Sequence, residues 1–193
     1  MKKDYQIIYL NGPSSVGKTP LARALQNSFQ EPFLVFGLDQ MTDMMPDKLN
    51  SWDVDKKVPG FSWEKEDDGS GMPLYKNWIG PFAHRLLHTL KKVVCTLVDD
   101  NYQVIIDDVS IGKAEVDEWR KALAQYRVLW VGLTAPLEIL EDREKIRPDR
   151  RIGSARWQAE HVHEGVVYDL MLDTVANSLP ECVSQIKGFM GKE

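Results

Sequence analysis

The chain has 193 residues, enough for one domain of ordinary size, and 43% of them are hydrophobic and 27% charged. This composition is typical of a soluble protein with a hydrophobic core. The formal net charge of −5 argues against a nucleic-acid partner, because there is no excess of cations to displace counterions from phosphates. No apolar run approaches the roughly 20 residues that span a bilayer, so we expect no membrane partner.

The N-terminal sequence and the cysteines predict where the protein resides. The apolar stretch at residues 7–10 is interrupted by Asn11, too early for the core of a signal peptide. Cys95 and Cys182 are far apart and form no metal-binding pattern. Both observations favour a cytoplasmic protein with reduced thiols. The sequence does not determine the oligomeric state and is compatible with a homo-oligomer.

Predicted strands and helices alternate along the chain. The five predicted strands cover residues 5–11, 33–38, 102–108, 128–133 and 168–173. The predicted helices cover about residues 18–29, 81–99, 116–126, 136–145, 155–162 and 178–190, with a short one after Asp39. Short continuous apolar runs fit strands buried on both faces of a parallel sheet. The pattern therefore predicts a single α/β domain over residues 1–193, with helices on both faces of the sheet.

This alternation breaks down between residues 46 and 80. The segment is rich in proline and glycine and contains a charged run at residues 64–68. We interpret it as a long excursion, which is either a functional, acceptor-binding region or a mobile surface insertion. It also carries six large apolar or aromatic residues, namely Trp52, Phe61, Trp63, Met72, Tyr75 and Trp78. These residues either line an acceptor pocket or pack the excursion onto the domain.

The loop after the first predicted strand matches the Walker A pattern Gly-x-x-x-x-Gly-Lys-Thr. Its residues are Gly12, Pro13, Ser14, Ser15, Val16, Gly17, Lys18 and Thr19. Glycines let the backbone wrap a phosphate with its N–H groups turned inward, and the next helix adds its own free N–H groups. Lys18 would reach the β- and γ-phosphates, and the Thr19 hydroxyl would ligate Mg²⁺. The loop predicts binding of a nucleoside triphosphate such as ATP.

Carboxylates follow the second and third predicted strands, at the edge where open α/β sheets bind ligands. Asp39 is the best candidate for the general base that accepts the proton of an attacking hydroxyl; the alternative is a helix cap. Asp107 and Asp108 follow an apolar strand as in a Walker B element. Because adjacent strand residues face opposite sides, we expect only one of them to serve Mg²⁺, and we favour Asp107.

A basic segment at residues 143–156 contains five arginines, Arg143, Arg147, Arg150, Arg151 and Arg156. We interpret it as a lid that closes over bound nucleotide, because guanidinium groups match phosphate oxygens and stabilise charge during transfer. A solvated charged surface is the alternative. His161 and His163 lack a third metal ligand at a recognised spacing, so we expect a hydrogen-bonded structural role for them. His84 and His88 are four positions apart on one helix face, and we interpret them as paired surface or packing residues.

Taken together, these motifs resemble the chloramphenicol phosphotransferase-like family, P-loop kinases related in fold to nucleotide and shikimate kinases. The matching segments are residues 10–12, 14–18, 31–32, 36–39, 45–46, 105–109, 129–132, 143–144, 149–150, 162–166, 168–169 and 173–174. They follow one another over nearly the whole chain and are more specific than the Walker A pattern alone.

The resemblance implies a P-loop NTPase three-layer sandwich with five parallel strands in the order 2-3-1-4-5. It implies transfer of the γ-phosphoryl group of ATP, with Mg²⁺, to a hydroxyl of a small molecule. Asp39 would be the general base, Lys18 would contact phosphate, and the lid arginines would be Arg143, Arg147 and Arg150.

The identity of the acceptor stays open, because residues 46–80 match the antibiotic-modifying member of the family poorly. The leading hypothesis is phosphorylation of chloramphenicol, on its 3-hydroxyl, or of a related aromatic alcohol. The same fold hosts kinases of other metabolites, such as a sugar acid, a nucleoside or a nucleotide-sugar. A third hypothesis, from another class, is a nucleotide-dependent switch that binds a protein through residues 46–80.

Overall fold

The computed structural model describes residues 5–147 and 151–191. The strands are β1 Ile7–Asn11, β2 Phe33–Gly37, β3 Phe61–Lys65, β4 Tyr75–Ile79, β5 Gln103–Asp108, β6 Val128–Thr134 and β7 Leu170–Asp173. The α-helices are α1 Lys18–Ser28, α2 Leu38–Asp43, α3 Pro81–Asp99, α4 Gly112–Ala122, α5 Leu137–Lys145, α6 Ser154–His161 and α7 Leu179–Gly191, and a 3₁₀-helix covers Asp47–Leu49. Within these described ranges, no helix is both long and apolar enough to cross a membrane.

Five strands form a parallel sheet in the order β2-β5-β1-β6-β7. This arrangement confirms the predicted α/β fold with five parallel strands. The order differs in detail from the predicted 2-3-1-4-5, because a separate antiparallel hairpin, β3-β4, precedes the third strand of the sheet. Counting only the strands of the parallel sheet restores the predicted order. The central strand β1 therefore has a neighbour on each side and is buried along its whole length.

Side chains of β1 alternate between two hydrophobic cores, one on each face of the sheet. Ile8 and Leu10 pack in the core that is covered by α1 and α7. Ile7 and Tyr9 pack in the core that is covered by α3 and α4. This alternation follows from the two-residue period of a strand, and the burial of each large apolar side chain contributes about 1.5–3 kcal/mol. The two cores hold the end of β1, and the loop that follows it, in a fixed place.

Residues 46–80 form secondary structure that the sequence pattern did not predict. They contain the 3₁₀-helix and the β3-β4 hairpin, and Phe61 packs with Met45 and Ala83 in a small third core. The segment closes tightly on itself, since a Cβ on Gly80 would lie 2.1 Å from the carbonyl oxygen of Val58. The excursion therefore has its own anchored structure beside the carboxyl ends of the sheet strands.

Candidate active site

The phosphate loop begins where β1 ends, and its first residues are fixed by neighbouring strands. Asn11 is fully buried, and its side chain donates to the carbonyl oxygen of Ser110 at 3.0 Å and accepts from the Ser110 N–H at 2.9 Å. A Cβ on Gly12 would lie 2.6 Å from the carbonyl oxygen of Leu133. Gly17 has a φ of 103°, which strongly favours glycine. Gly12 is thus required because the backbone of Leu133 lies too close for a side chain, and Gly17 is required because of its positive φ.

The loop presents hydrogen-bond donors that suit an anion. The Lys18 ammonium is buried and donates to the carbonyl oxygens of Gly12 and Pro13, both at 2.8 Å. The hydroxyls of Ser14 and Ser15 are buried and have no hydrogen-bond partner within the described part of the chain. A buried polar group without a partner costs free energy. Phosphate oxygens would satisfy these donors, so the loop fits a polyphosphate.

Two predicted metal-site residues meet at the edge of this loop. The Thr19 hydroxyl donates to Asp107 Oδ2 at 2.6 Å, although 88 positions separate the two residues. Burial raises the pKa of Asp107, whereas the Lys18 charge and the Thr19 hydrogen bond lower it. Hydroxyl and carboxylate oxygens are the ligands that Mg²⁺ prefers. This pair could therefore hold Mg²⁺ beside a bound polyphosphate.

The neighbouring acid, Asp108, faces the other way and belongs to a buried hydrogen-bond network. Its Oδ2 atom accepts from the Ser110 hydroxyl at 2.6 Å and from Trp119 Nε1 at 2.8 Å. The Tyr9 hydroxyl lies 2.9 Å from the same atom, and burial holds the pKa of Tyr9 well above its usual value. The two adjacent carboxylates thus face different surroundings, as the strand period requires.

Asp39 lies on the wall of the same cavity as Lys18, Thr19 and Asp107. This cavity, the phosphate cavity, has a volume of about 440 Å³. Asp39 is exposed and lies in the first turn of α2, whose N-cap is Gly37. It does not occupy the cap position that was its alternative role. The Asp39 carboxylate therefore shares this cavity with the phosphate loop.

The predicted lid arginines divide into several groups. Arg143 donates to the carbonyl oxygens of Ser15 and Val16 at 3.2 and 3.4 Å, and Arg147 lines the phosphate cavity. Arg150 lies outside the described residues. The Arg151 guanidinium lies over the Tyr75 ring at 4.5 Å. Of the described arginines, Arg143 and Arg147 therefore adjoin the phosphate loop, and Arg151 contacts the β3-β4 hairpin.

An apolar cavity of about 430 Å³ opens on the other side of the phosphate loop. It is lined by Ser15, Val16, Gly17, Pro20, Leu21, Arg143, Ile146, Arg147, Thr174, Asn177, Leu179 and Cys182. The Thr174 hydroxyl donates to the carbonyl oxygen of Val16 at 2.7 Å, which joins the end of β7 to the loop. An apolar cleft with a few polar groups suits a flat heterocycle, so a nucleobase would fit here.

A third cavity, of about 320 Å³, adjoins the phosphate cavity. We call it the acceptor cavity. Its walls include three aromatic rings, those of Phe61, Trp119 and Trp157, and charged or titratable side chains, those of His84, His88, Lys91, Asp108, Glu115 and Glu118. The acceptor and phosphate cavities share four residues, Leu38, Asn77, Val109 and Gln158. The two cavities therefore lie side by side and have part of their walls in common.

The family assignment rests on comparisons with known proteins. A model of the chloramphenicol phosphotransferase-like protein family matches residues 5–191. The chain belongs to this family. Two candidate O-phosphotransferases from strains of Mycobacterium tuberculosis are each 28% identical to it over 182 residues, which cover 94% of this chain and 80% of each relative. The membership supports a phosphotransferase enzyme.

Solved structures with low identity share the fold of this chloramphenicol phosphotransferase-like protein. The Mycobacterium tuberculosis APS kinase CysC is 16% identical, with a TM-score of 0.67, and the match covers 97% of this chain and 98% of that one. A gluconokinase from Sinorhizobium meliloti is 15% identical, with a TM-score of 0.59 and coverage of 98% and 94%. The Deinococcus radiodurans tunicamycin resistance protein is 20% identical, with a TM-score of 0.60 and coverage of 96% and 95%. At these identities the likeness establishes a P-loop kinase fold.

Some aromatic residues of the excursion line cavities, whereas others pack the excursion together. Phe61 lines the acceptor cavity and Trp63 lines the phosphate cavity. Trp78 instead packs the excursion, since its Nε1 atom donates to the carbonyl oxygen of Val58 at 3.1 Å. Trp52 is 60% exposed, with its ring centroid 6.5 Å from that of Trp63. The hairpin of this family member thus contributes directly to both cavities.

The histidine pairs also take different roles. His163 Nδ1 lies 3.0 Å from the Tyr168 hydroxyl and Nε2 lies 3.0 Å from the carbonyl oxygen of Leu133, and burial lowers the pKa of its ring. Across the described ranges, no cluster of three or more His, Cys, Asp or Glu side chains could hold a metal ion. His84 and His88 are exposed on α3, in agreement with the prediction of surface residues, and they also line the acceptor cavity.

Glu144 is a structural residue of the basic segment, and its role was not predicted from the sequence. It is 1% exposed and accepts hydrogen bonds from the Gly153 N–H at 2.7 Å, the Ser154 hydroxyl at 2.6 Å and the Ala155 N–H at 2.8 Å. These donors belong to the start of α6, so Glu144 joins α5 to α6 across the basic segment. The only sequence signal is an acidic residue nine positions before a glycine that precedes a helix.

Glu115 of the acceptor cavity gives a pH-dependent prediction. Burial raises its pKa, the Asp108 and Glu118 charges add to the rise, and a hydrogen bond from the Ile111 N–H opposes it. Ionisation therefore costs folding free energy, and this cost is absent below the unfolded-state pKa of about 4.3 and complete above the folded-state pKa. We expect Glu115→Gln to raise the Tm at pH 8, with a gain that vanishes near pH 4.

Thermal unfolding of the purified variant across this pH range tests the Glu115 prediction. Glu118, one turn further along α4, is the matched control, because a hydrogen bond from Lys91 lowers the pKa of its carboxyl. Glu118→Gln should not raise the Tm at pH 8. An equal Tm gain in both variants, or a Glu115→Gln gain that is the same at every pH, would contradict the electrostatic explanation.

Proposed function

We propose that the protein transfers the γ-phosphoryl group of ATP, with Mg²⁺, to a hydroxyl of a small aromatic alcohol such as chloramphenicol. One observation carries the proposal. Asp39 shares a cavity with Lys18, Thr19 and Asp107, and this phosphate cavity opens into a second cavity that has aromatic walls. The residues proposed for the donor, the metal and the base thus adjoin a space that would hold the acceptor.

Nucleotide binding would use the groups around the phosphate loop. The N–H groups of residues 14–19 and the Lys18 ammonium would hold the phosphates, and the base would enter the apolar cavity beside Arg143. Bound Mg²⁺ supplies charge neutralisation for the β- and γ-phosphates. Thr19 and Asp107 would hold it, because their oxygens already meet at 2.6 Å.

Transfer itself would use Asp39 and the lid arginines. The Asp39 carboxylate would accept the proton of the acceptor hydroxyl as the oxygen attacks the γ-phosphorus and the bond to the leaving ADP oxygen breaks. Arg147, on the wall of the phosphate cavity, would stabilise the charge on the transferred group. Arg150 is assigned the same role on the family resemblance alone. A water-excluding lid also favours transfer to the acceptor over hydrolysis.

The walls of the acceptor cavity support an aromatic alcohol. The rings of Phe61, Trp119 and Trp157 offer surfaces on which an aromatic acceptor can stack. A second candidate acceptor is a polar metabolite with several hydroxyls, such as a sugar acid or a nucleoside. The side chains of Lys91, Glu115 and Asn77 on the same walls support it, because they can exchange hydrogen bonds with such a molecule.

An acceptor panel with detection of ADP tests the proposal and separates its two versions. Purified protein, ATP and Mg²⁺ are incubated with chloramphenicol, simpler aromatic alcohols, sugar acids, nucleosides and nucleotide-sugars. We expect acceptor-dependent ADP release in the aromatic arm, and mass spectrometry should find a phosphorylated product. Release only in the polar arm would favour the second candidate. Nucleotide binding without release in either arm would favour a nucleotide-dependent protein switch.

A further inference from the structure

Gln158 of α6 lies where the phosphate and acceptor cavities meet. It lines both cavities and is only 6% exposed. Its side-chain oxygen Oε1 accepts a hydrogen bond from the backbone N–H of Ser14 at 2.7 Å, across 144 positions of sequence. The mechanism described above uses neither this side chain nor this contact.

The Ser14 N–H belongs to the loop that would bind phosphate. Backbone N–H groups of such a loop donate to phosphoryl oxygens. One N–H makes one strong hydrogen bond, so a phosphoryl oxygen and Gln158 Oε1 compete for the same donor. The Ser14 hydroxyl beside it is buried and has no partner within the described residues. Gln158 therefore holds a donor that a phosphoryl group would require.

The position of Gln158 indicates which phosphoryl group is concerned. In a kinase the γ-phosphoryl group is the one that must lie between the nucleotide and the acceptor. Gln158 is one of four residues that the phosphate and acceptor cavities share. The β-phosphoryl group stays on the donor side after transfer, so ADP has no group that must reach Gln158.

The frame around α6 keeps Gln158 near the loop when its hydrogen bond is exchanged. Glu144 binds the first turn of α6, and Arg156 forms an ion pair with Glu141 of α5 at 2.6 Å. The same helix α5 carries Arg143, which donates to the carbonyl oxygens of the phosphate loop. The carboxamide of a displaced Gln158 therefore stays beside the loop, where its Nε2 group can donate.

We propose that Gln158 is a positioning residue that responds to the γ-phosphoryl group. With ADP, or with no nucleotide, its Oε1 atom holds the Ser14 N–H. With ATP, a γ-phosphoryl oxygen takes that N–H, and the Nε2 group of Gln158 donates to the γ-phosphoryl group and orients it toward the acceptor cavity. This inference rests on the proposed function, since it requires a triphosphate in the phosphate cavity.

Binding of two nucleotides to Gln158→Glu tests the inference without an acceptor. A carboxylate accepts from the Ser14 N–H more strongly than an amide and repels a γ-phosphoryl group. By calorimetry, we expect the affinity for the β,γ-imido analogue of ATP to fall about tenfold or more. The affinity for ADP should change less than about threefold. Equal losses for the two nucleotides, or no loss for either, would overturn the inference.

A control on the same helix separates this effect from a change in α6. Glu160 is exposed and lines none of the three cavities described above. Glu160→Gln should leave both nucleotide affinities unchanged. A comparable loss of analogue binding in this variant would assign the effect to the helix and overturn the role of Gln158.

A measurement on Gln158 in the wild-type protein tests the inference even if the Gln158→Glu variant does not fold. In ¹⁵N-labelled wild-type protein, the carboxamide resonance of Gln158 should shift with the ATP analogue and stay in place with ADP. Identical shifts with both nucleotides would overturn the inference. Failure of the proposed function is seen separately, as binding of nucleotide without turnover of any acceptor in the panel.

Discussion

Replacing Asp39 by asparagine should lower kcat by about a thousandfold, while nucleotide affinity changes little. Asp39 is exposed on the wall of the phosphate cavity, in the first turn of α2. The amide has almost the same shape as the carboxylate but cannot accept the proton of the acceptor hydroxyl, and general bases contribute about 10²–10⁴-fold. Steady-state kinetics with ADP detection, together with calorimetric binding of ATP, measures both quantities.

Asp43 provides a matched control for the Asp39 prediction. It is the last residue of the same short helix, is also exposed, and lines none of the three cavities described above. Asp43→Asn should keep kcat within about twofold of the wild type. If Asp39→Asn retained wild-type kcat, or lost activity only through a higher KM for ATP, Asp39 would not be the base.

Replacing Glu144 by alanine should destabilise the fold by about 3 kcal/mol or more. The carboxylate is buried and accepts three hydrogen bonds, two of them from the backbone N–H groups of Gly153 and Ala155. Without it, these donors lose their partner in a buried place, and a cavity is left between α5 and α6. Chemical denaturation gives the free energy of unfolding directly.

The loss of Glu144 should also weaken nucleotide binding, because α5 and α6 carry Arg143 and Gln158. Glu138→Ala is the control, since Glu138 lies exposed in the first turn of the same helix, and its change in free energy should stay within about 0.5 kcal/mol. Glu144→Gln should fall between the two, because one oxygen remains as an acceptor. An unfolding free energy for Glu144→Ala within about 0.5 kcal/mol of the wild type would contradict the proposed anchor.

The phosphate loop could be predicted from sequence because its requirements are local. A close backbone contact requires glycine at position 12, and a positive φ requires it at position 17. Lys18 and Thr19 follow within the same eight residues. The pairing of Thr19 with Asp107 was predicted as a shared metal role, because carboxyl ends of parallel strands meet at one edge.

The β3-β4 hairpin escaped prediction because each of its strands is only five residues long and has charged residues among the aromatic ones. Glu64 and Lys76 face each other in the ladder and form an ion pair at 3.4 Å. Read along the chain, such residues indicate a solvated loop, since strand formation here depends on pairing across the hairpin. The cross-strand contacts, and not the hydrophobic periodicity of either segment, therefore define these two strands.

Element ends and the acceptor cavity also depend on tertiary contacts. Helix α4 begins at Gly112, four residues before the predicted start, because Glu115 accepts the N–H of Ile111 and no apolar period marks this turn. His84 and Glu115 line one cavity although they belong to different helices, α3 and α4. No short-range pattern joins such residues, so the sequence could predict the phosphate loop but not the walls of this cavity.

Transfer of label from ATP most directly tests the central claim that this protein is a phosphotransferase with a small hydroxylated acceptor. ATP labelled in its γ-phosphoryl group is incubated with the protein, Mg²⁺ and an acceptor for which ADP release has been detected. The proposed function predicts one label on the acceptor hydroxyl for each ADP formed, at a rate that is about a thousandfold lower in Asp39→Asn. Label that appears only in inorganic phosphate would contradict it, because the protein would then be a nucleotide hydrolase.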